Sequence, residues 1–378
     1  MAVEINGFCD ERFLPLKDAF RANFENGLEV GASFAVTHKG KPVVDIWAGH
    51  ADWNRTRVWE KDTIVLLYST SKIPLIMSFL LLVDRGLVDL DVPVATYWPE
   101  FAAGGKSHVT VRDALTHRAG VPGFEPPVPF EALHDWDGIT AHIAAEAHWF
   151  DSESVLCYHA ITYGFVLGEI IRRVSGRGPS QFFREEIADK AGIDLQLGLR
   201  SQAERARLAQ NGYLNPPGGM MTRHPLARRV TESVGQGDWT TWENQRSDVP
   251  ASNGYGNARA VARLCTIGAM GGVLDGVHYL SQKTVDEASR EQVFAEEPHV
   301  GWLRLGLGFG LHSDGFPAPT STCFHWGGYG GSFGIMDQAT GIGCGYAMNN
   351  LIVPEQDIAE EPRYWRMSKA LGSVMAGL

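Results

Sequence analysis

Tyr68-Ser69-Thr70-Ser71-Lys72 joins two apolar runs, Ile64-Val65-Leu66-Leu67 before it and Ile73-Pro74-Leu75-Ile76-Met77 after it. A hydroxyl residue ahead of helical periodicity, with proline tolerated in the first turn, predicts a helix that begins close to Ser69 and runs to about Asp84. Residues i and i+3 share a helix face, so Lys72 stands one turn above Ser69. The helix N-terminus there favours negative charge. A serine alone is a weak nucleophile, and a lysine serves as its base only when burial or neighbouring cations make it neutral. Met alone, the same spacing also describes a capping serine beside a solvated lysine.

Outward from this stretch, the two ends of the chain read alike. Toward the N-terminus, Phe13, Leu16, Phe20 and Phe24 line one face of a helix over residues 10–25. Ala32 to Thr37 and Pro42 to Ala48 form a hairpin around Lys39-Gly40, followed by a loop from His50 to Asp62. Toward the C-terminus, Asn257 to Met270 and Ser281 to Gln292 read as helices. Leu303 to His312, Cys323 to Met336 and Gly343 to Met348 read as strands, and Pro362 to Met375 as a closing helix. The middle is rich in Pro, Gly and Trp and reads as loops and short helices. The expected architecture is α+β, an α/β sandwich whose antiparallel sheet is flanked by helices and built from both chain ends. Residues 1–90 and 255–378 make that layer, residues 91–254 an inserted, mostly helical domain, and the site lies between them.

Composition narrows the function classes. The 378 residues are 44% hydrophobic and 20% charged, with a net charge of −11, and no basic run or basic-aromatic patch is present. That balance excludes nucleic acid and an anionic membrane surface as expected partners. No run approaches the ~20 apolar residues of a membrane span, and the start Met1-Ala2-Val3-Glu4 lacks a basic n-region, so a cytoplasmic address is expected. Five widely spaced cysteines, Cys9, Cys157, Cys265, Cys323 and Cys344, form no Cys-x-x-Cys pair and read as reduced, mostly buried thiols. His134, His142 and His148 lie among acidic residues but lack a His-x-x-x-His spacing with a glutamate, so no metal site and no cofactor are expected. The oligomeric state is not legible.

Two further stretches suit a Ser/Lys pair. Tyr158-His159-Ala160-Ile161-Thr162-Tyr163-Gly164 places a phenol before an apolar helix, where it could relay protons. Phe324-His325-Trp326-Gly327-Gly328-Tyr329-Gly330-Gly331-Ser332 is a glycine-rich strand that a ligand can approach closely. Each alone reads equally as packing tyrosine or bulged strand. In this order, with Leu115-Thr116-His117-Arg118-Ala119-Gly120 between them, they resemble the serine β-lactamase and penicillin-binding protein superfamily, and within it the class C branch and the family VIII carboxylesterases.

The resemblance implies the class C sandwich fold and a catalytic group of Ser69, Lys72 and Tyr158. It also implies an oxyanion site from the backbone N–H groups of Ser69 and Tyr329, and substrate contacts from His325, Trp326, Gly327 and Gly328. Tyr68, Phe124 and Trp149 are further candidates for an apolar acyl pocket. Two departures direct the substrate: the family's Tyr-x-Asn is Tyr158-His159-Ala160 here, and its Lys-Thr-Gly is Trp326-Gly327-Gly328. With no fixed cation at that strand position, a small neutral ester, of short acyl chain, is the expected substrate of a serine carboxylesterase. The alternatives are a β-lactamase or D-amino-acid peptidase, an acyltransferase, and a non-enzymatic scaffold. Gly330-Gly331-Ser332-Phe333-Gly334 matches the nucleophile elbow of α/β-hydrolases, yet no histidine follows Ser332, as that elbow's residue order requires.

Overall fold

The structure, a computed structural model, describes residues 3–150, 155–214, 224–353 and 361–378. Nine strands form one antiparallel sheet: β1 (Ile5–Cys9), β2 (Gly31–His38), β3 (Lys41–Gly49), β4 (Val293–Glu297), β5 (Gly301–Leu305), β6 (Gly310–Leu311), β7 (Cys323–Gly327), β8 (Phe333–Asp337) and β9 (Ile342–Met348). Their order across the sheet is β1-β3-β2-β9-β8-β7-β6-β5-β4, so β2 from one end of the chain pairs with β9 from the other. The fold class expected from the sequence is the one observed.

The run Cys323 to Met336 is two strands rather than one. Gly330 (φ +86°) and Gly331 (φ +117°) take backbone conformations that favour glycine, and they turn the chain between β7 and β8. Leu303 to His312 breaks in the same way into β5 and β6. Edge strands β1 and β4 carry mostly exposed or half-exposed side chains, which leaves no apolar alternation to read. The helix read over 281–292 is shorter, Gln282–Ser289, because the chain beyond it turns into β4.

Five longer helices position the rest: α1 (Leu14–Glu25), α2 (Lys72–Asp84), α3 (Thr162–Ser175), α4 (Ala258–Ala269) and α5 (Pro362–Met375). On one face of the sheet, Leu16 and Phe20 of α1 and Met367 and Leu371 of α5 pack with Phe34, Ile46 and Tyr346. On the other face lies α4. A Cβ at Gly345 would stand 2.4 Å from the Ala258 carbonyl oxygen, so the glycines of β9 let this helix rest directly on the strand. Eleven of the thirteen residues of α2 are buried, which makes it a central helix with α3 packed against it rather than a surface helix with one apolar stripe. Between Asp84 and Gly254 the described chain is mostly short helices and loops. A small sheet there joins Val65–Leu66, Leu195–Leu197 and Gly254–Gly256 and holds the chain just before Ser69.

Candidate active site

Ser69 is not the helix cap that its position suggests. Residues 69–71 form a 3₁₀ turn, α2 begins at Lys72, and no side chain caps either element. Tyr68 stands before the turn at φ +48°, a backbone conformation that costs a non-glycine residue about 1–3 kcal/mol and persists only where its surroundings enforce it. Two clamps do so. Leu67 N–H donates to the Gly254 carbonyl at 2.8 Å, and Gly254 N–H donates to Ser71 Oγ at 2.7 Å. From the opposite side, the Ser332 hydroxyl donates to the Leu67 carbonyl at 2.9 Å and lies 2.9 Å from Thr70 Oγ1. Ser332 therefore holds the turn that carries Ser69.

The Lys72 side chain has no solvent exposure. Its Nζ lies 2.9 Å from the Ala160 carbonyl, 3.1 Å from the Ala251 carbonyl and 3.3 Å from Ser69 Oγ, and among the described residues no carboxylate pairs with it. Burial holds the amine well below the ordinary lysine range. A neutral amine has two N–H bonds and one lone pair, which match two carbonyls and one hydroxyl. Tyr158 Oη lies 2.7 Å from the same Ser69 Oγ. Burial pushes its phenol above the usual range, against the opposing effect of that hydrogen bond, so at neutral pH the phenol keeps its proton.

Tyr158 sits in an aromatic nest. His117 stacks on Tyr163 at 4.2 Å and on Trp326 at 5.6 Å between centroids, and its ring lies 5.0 Å from Tyr158. Strand alternation sends Trp326 to this side of β7 and buries it, leaving 4% of it exposed. The same alternation sends His325 to the other face, fully buried between Phe316 and Tyr364. The expectation that His325 contacts substrate is therefore corrected by the pleat. Phe124 meets His142 edge-on, and Trp149 donates to Glu146 while Arg229 covers its ring. Tyr68 packs at 5.4 Å on Tyr329, whose hydroxyl meets that of Tyr213 at 3.1 Å.

The end of β7 touches the serine turn. A Cβ on Gly328 would stand 2.2 Å from the Leu67 carbonyl oxygen, so only glycine lets the two backbones approach this closely, and Gly327 lies beside it on the strand. Beyond it the turn closes through Gly331 N–H to the Gly328 carbonyl at 3.1 Å. Arg363, at the start of α5 and fully buried, donates to the Gly330 carbonyl and, at 2.8 Å, to that of Asn350. Glu29 at 3.0 Å and Glu361 at 2.5 Å hold the guanidinium in place.

A serine turn at the head of a buried helix, a lysine one turn on, a tyrosine from a separate loop and a glycine-rich strand end now stand together. The beta-lactamase family profile matches residues 20–365. The chain belongs to the beta-lactamase family. Among the family's members, an esterase/beta-lactamase, LipL of Mycobacterium tuberculosis, is 31% identical over 92% of this chain and 83% of its own. Esterase EstB of Burkholderia gladioli is 28% identical over 83% of this chain and 84% of its own. The crystal structure of a family VIII carboxylesterase superposes with a TM-score of 0.89 at 36% identity, covering 98% of this chain and all of that one.

Within this beta-lactamase-family site, several residues carried no sequence signal. Ala160 and Ala251 act through their carbonyls, which any residue supplies. Glu297 accepts the Tyr158 N–H at 2.8 Å from a segment remote in sequence. Arg363 reads in the sequence as an ordinary surface cation on a terminal helix.

Proposed function

We propose that the chain is a serine hydrolase that cleaves small carboxylic esters through an acyl-enzyme on Ser69. The observation that carries this reading is the convergence of Lys72 Nζ and Tyr158 Oη on Ser69 Oγ, with the amine buried and, among the described residues, free of any carboxylate. Neutral Lys72 takes the Ser69 proton as Oγ attacks the ester carbonyl. The backbone N–H groups of Ser69 and Tyr329 hold the oxyanion; neither donates to a protein acceptor among the described residues. The proton passes through the Tyr158 hydroxyl to the departing alkoxide, and water then releases the acid from Ser69. The base assignment follows from the opposite effects of burial on the two groups, which leave the amine able to accept a proton and the phenol unable to.

The substrate class follows from Trp326. A buried indole stacked on His117 stands where the resemblance puts a lysine, so no fixed cation there favours a carboxylated substrate. Small, neutral, short-acyl esters suit such a site, and the relatives that carry esterase in their names support the same reading. A fluorophosphonate probe followed by peptide mass spectrometry tests it. Labelling at Ser69, lost in Ser69→Ala together with nitrophenyl ester hydrolysis and kept in Ser332→Ala, is expected. Labelling at Ser332 overturns the assignment.

A further inference from the structure

Glu297 and His299 form a polar pair at the tip of the β4–β5 hairpin, against Tyr158. The Glu297 side chain is fully enclosed and accepts four hydrogen bonds. Oε1 takes the Tyr158 N–H at 2.8 Å and His299 Nδ1 at 2.9 Å; Oε2 takes the His299 N–H at 2.7 Å and the Val300 N–H at 3.1 Å. A carboxylate only accepts, so the proton of a neutral His299 imidazole sits on Nδ1 and its lone pair on Nε2. That Nε2 has no partner among the described residues and is not enclosed. The imidazole stands edge-to-face with the Tyr158 ring, 5.9 Å between centroids and 79° between planes.

The other imidazoles beside Tyr158 have no open nitrogen to offer. His117 and His159 are at most 1% exposed. His117 Nδ1 takes the His159 N–H at 3.1 Å and its Nε2 is enclosed, while His159 is used by Cys157 and Val121 on its two nitrogens. Lys72 has no solvent exposure and lies 3.3 Å from Ser69 Oγ. The Tyr158 phenol keeps its proton. Hydrolysis of the acyl-enzyme therefore needs a base that water can reach.

We infer that His299, oriented by Glu297, is the general base for the deacylating water, an inference that rests on the ester-hydrolase reading above. Water gives a proton to His299 Nε2 as its oxygen bonds to the acyl carbonyl carbon. The bond from that carbon to Ser69 Oγ then breaks, Oγ takes the proton of the Tyr158 hydroxyl, and the proton on His299 Nε2 returns through solvent to the Tyr158 oxygen, leaving the acid and the free enzyme with His299 neutral. Glu297 is a positioning residue, because it fixes the tautomer and holds the Tyr158 backbone in the same contact.

His299→Gln tests the step, read by stopped-flow release of nitrophenolate from nitrophenyl butyrate and by intact-protein mass spectrometry during turnover. Expected are a nitrophenolate burst of about one per enzyme, an accumulating butyryl adduct on Ser69, and a steady-state rate reduced by about 10²-fold or more. Fluorophosphonate labelling of Ser69 should stay within about twofold of wild type, as acylation does not use His299. In His299→Ala, added imidazole should restore the steady state in part. A steady-state rate near wild type without adduct overturns the inference, as does a parallel loss of burst, labelling and turnover, which would make His299 a prop for Tyr158. Absence of Ser69 labelling in the wild type would instead remove the ester-hydrolase reading itself.

Discussion

The Tyr158 hydroxyl stands 2.7 Å from Ser69 Oγ although the two residues are 89 positions apart in the chain. General acid–base assistance of this kind contributes about 10² to 10⁴ in rate. Tyr158→Phe and Lys72→Ala should each lower kcat by that range with little change in KM. The double variant should lose little more than either, because the groups share one proton path. Additive losses in steady-state ester hydrolysis would separate them into independent roles.

Lys72→Arg should be inactive at every accessible pH, since guanidinium stays protonated and cannot accept the serine proton. In the wild type the sign is set by burial, which disfavours the ammonium form. As pH falls through the lowered pKa of Lys72 the amine gains a proton and kcat/KM falls; above it, activity is level. A profile that instead climbs steadily toward pH 10, the ordinary lysine range, would contradict a neutral amine.

Gly331→Ala probes the turn beside Tyr329. Its φ of +117° is strained for any side chain, and a Cβ would stand 2.6 Å from Arg363 Nη2. The strain alone costs about 1–3 kcal/mol. Both Tm and kcat should fall, and Arg363→Lys, which keeps the charge but not the fork that reaches Gly330 and Asn350, should lower kcat more than it raises KM. Wild-type turnover in both variants would detach this turn from catalysis.

Glu29 gives a pH signature in stability. Burial raises its carboxyl to about 7, with Arg363 pulling the other way and Glu361 adding to the rise. Between about pH 4.5 and 7 the folded chain thus binds a proton that the unfolded chain has lost, so this group's contribution weakens as pH rises through that window, by at most about 3 kcal/mol. Glu29→Gln should flatten the dependence of Tm on pH across it. An unchanged slope by calorimetry would show that Glu29 stays ionised.

Substrate choice is testable without touching Trp326, whose burial makes a lysine there a folding lesion rather than a clean specificity switch. A desolvated charge-assisted hydrogen bond is worth about 1.5–3 kcal/mol, so its absence should disfavour carboxylated substrates about ten- to a hundredfold. Nitrophenyl butyrate should exceed a cephalosporin in kcat/KM by more than that. Equal or reversed values would favour a β-lactamase.

The sequence disclosed what is local. Ser69 and Lys72 share one turn, so spacing alone places them on one face, and β2 and β9 read as continuous apolar runs because both of their faces are buried. It misread Ser69 as a cap, because a 3₁₀ turn and an α-helical first turn share the same residue preferences. It placed His325 beside substrate because the resemblance counts positions along a strand, whereas the pleat decides which face each side chain reaches. Glu297, His299 and Arg363 were illegible for another reason. They reach the site from two remote elements, the β4–β5 hairpin and the start of α5, and no periodicity links a hairpin tip to a tyrosine in a remote loop.

The two carbonyls that meet Lys72 belong to Ala160 and Ala251, 88 and 179 residues away. In an unfolded chain that lysine is an ordinary solvated cation and Ser69 an inert alcohol. On the proposed reading, reactivity arises only when three distant segments have closed on one another, so a newly made chain would not acylate itself while it is still folding. Covalent labelling of Ser69 would then count natively assembled molecules, not total protein.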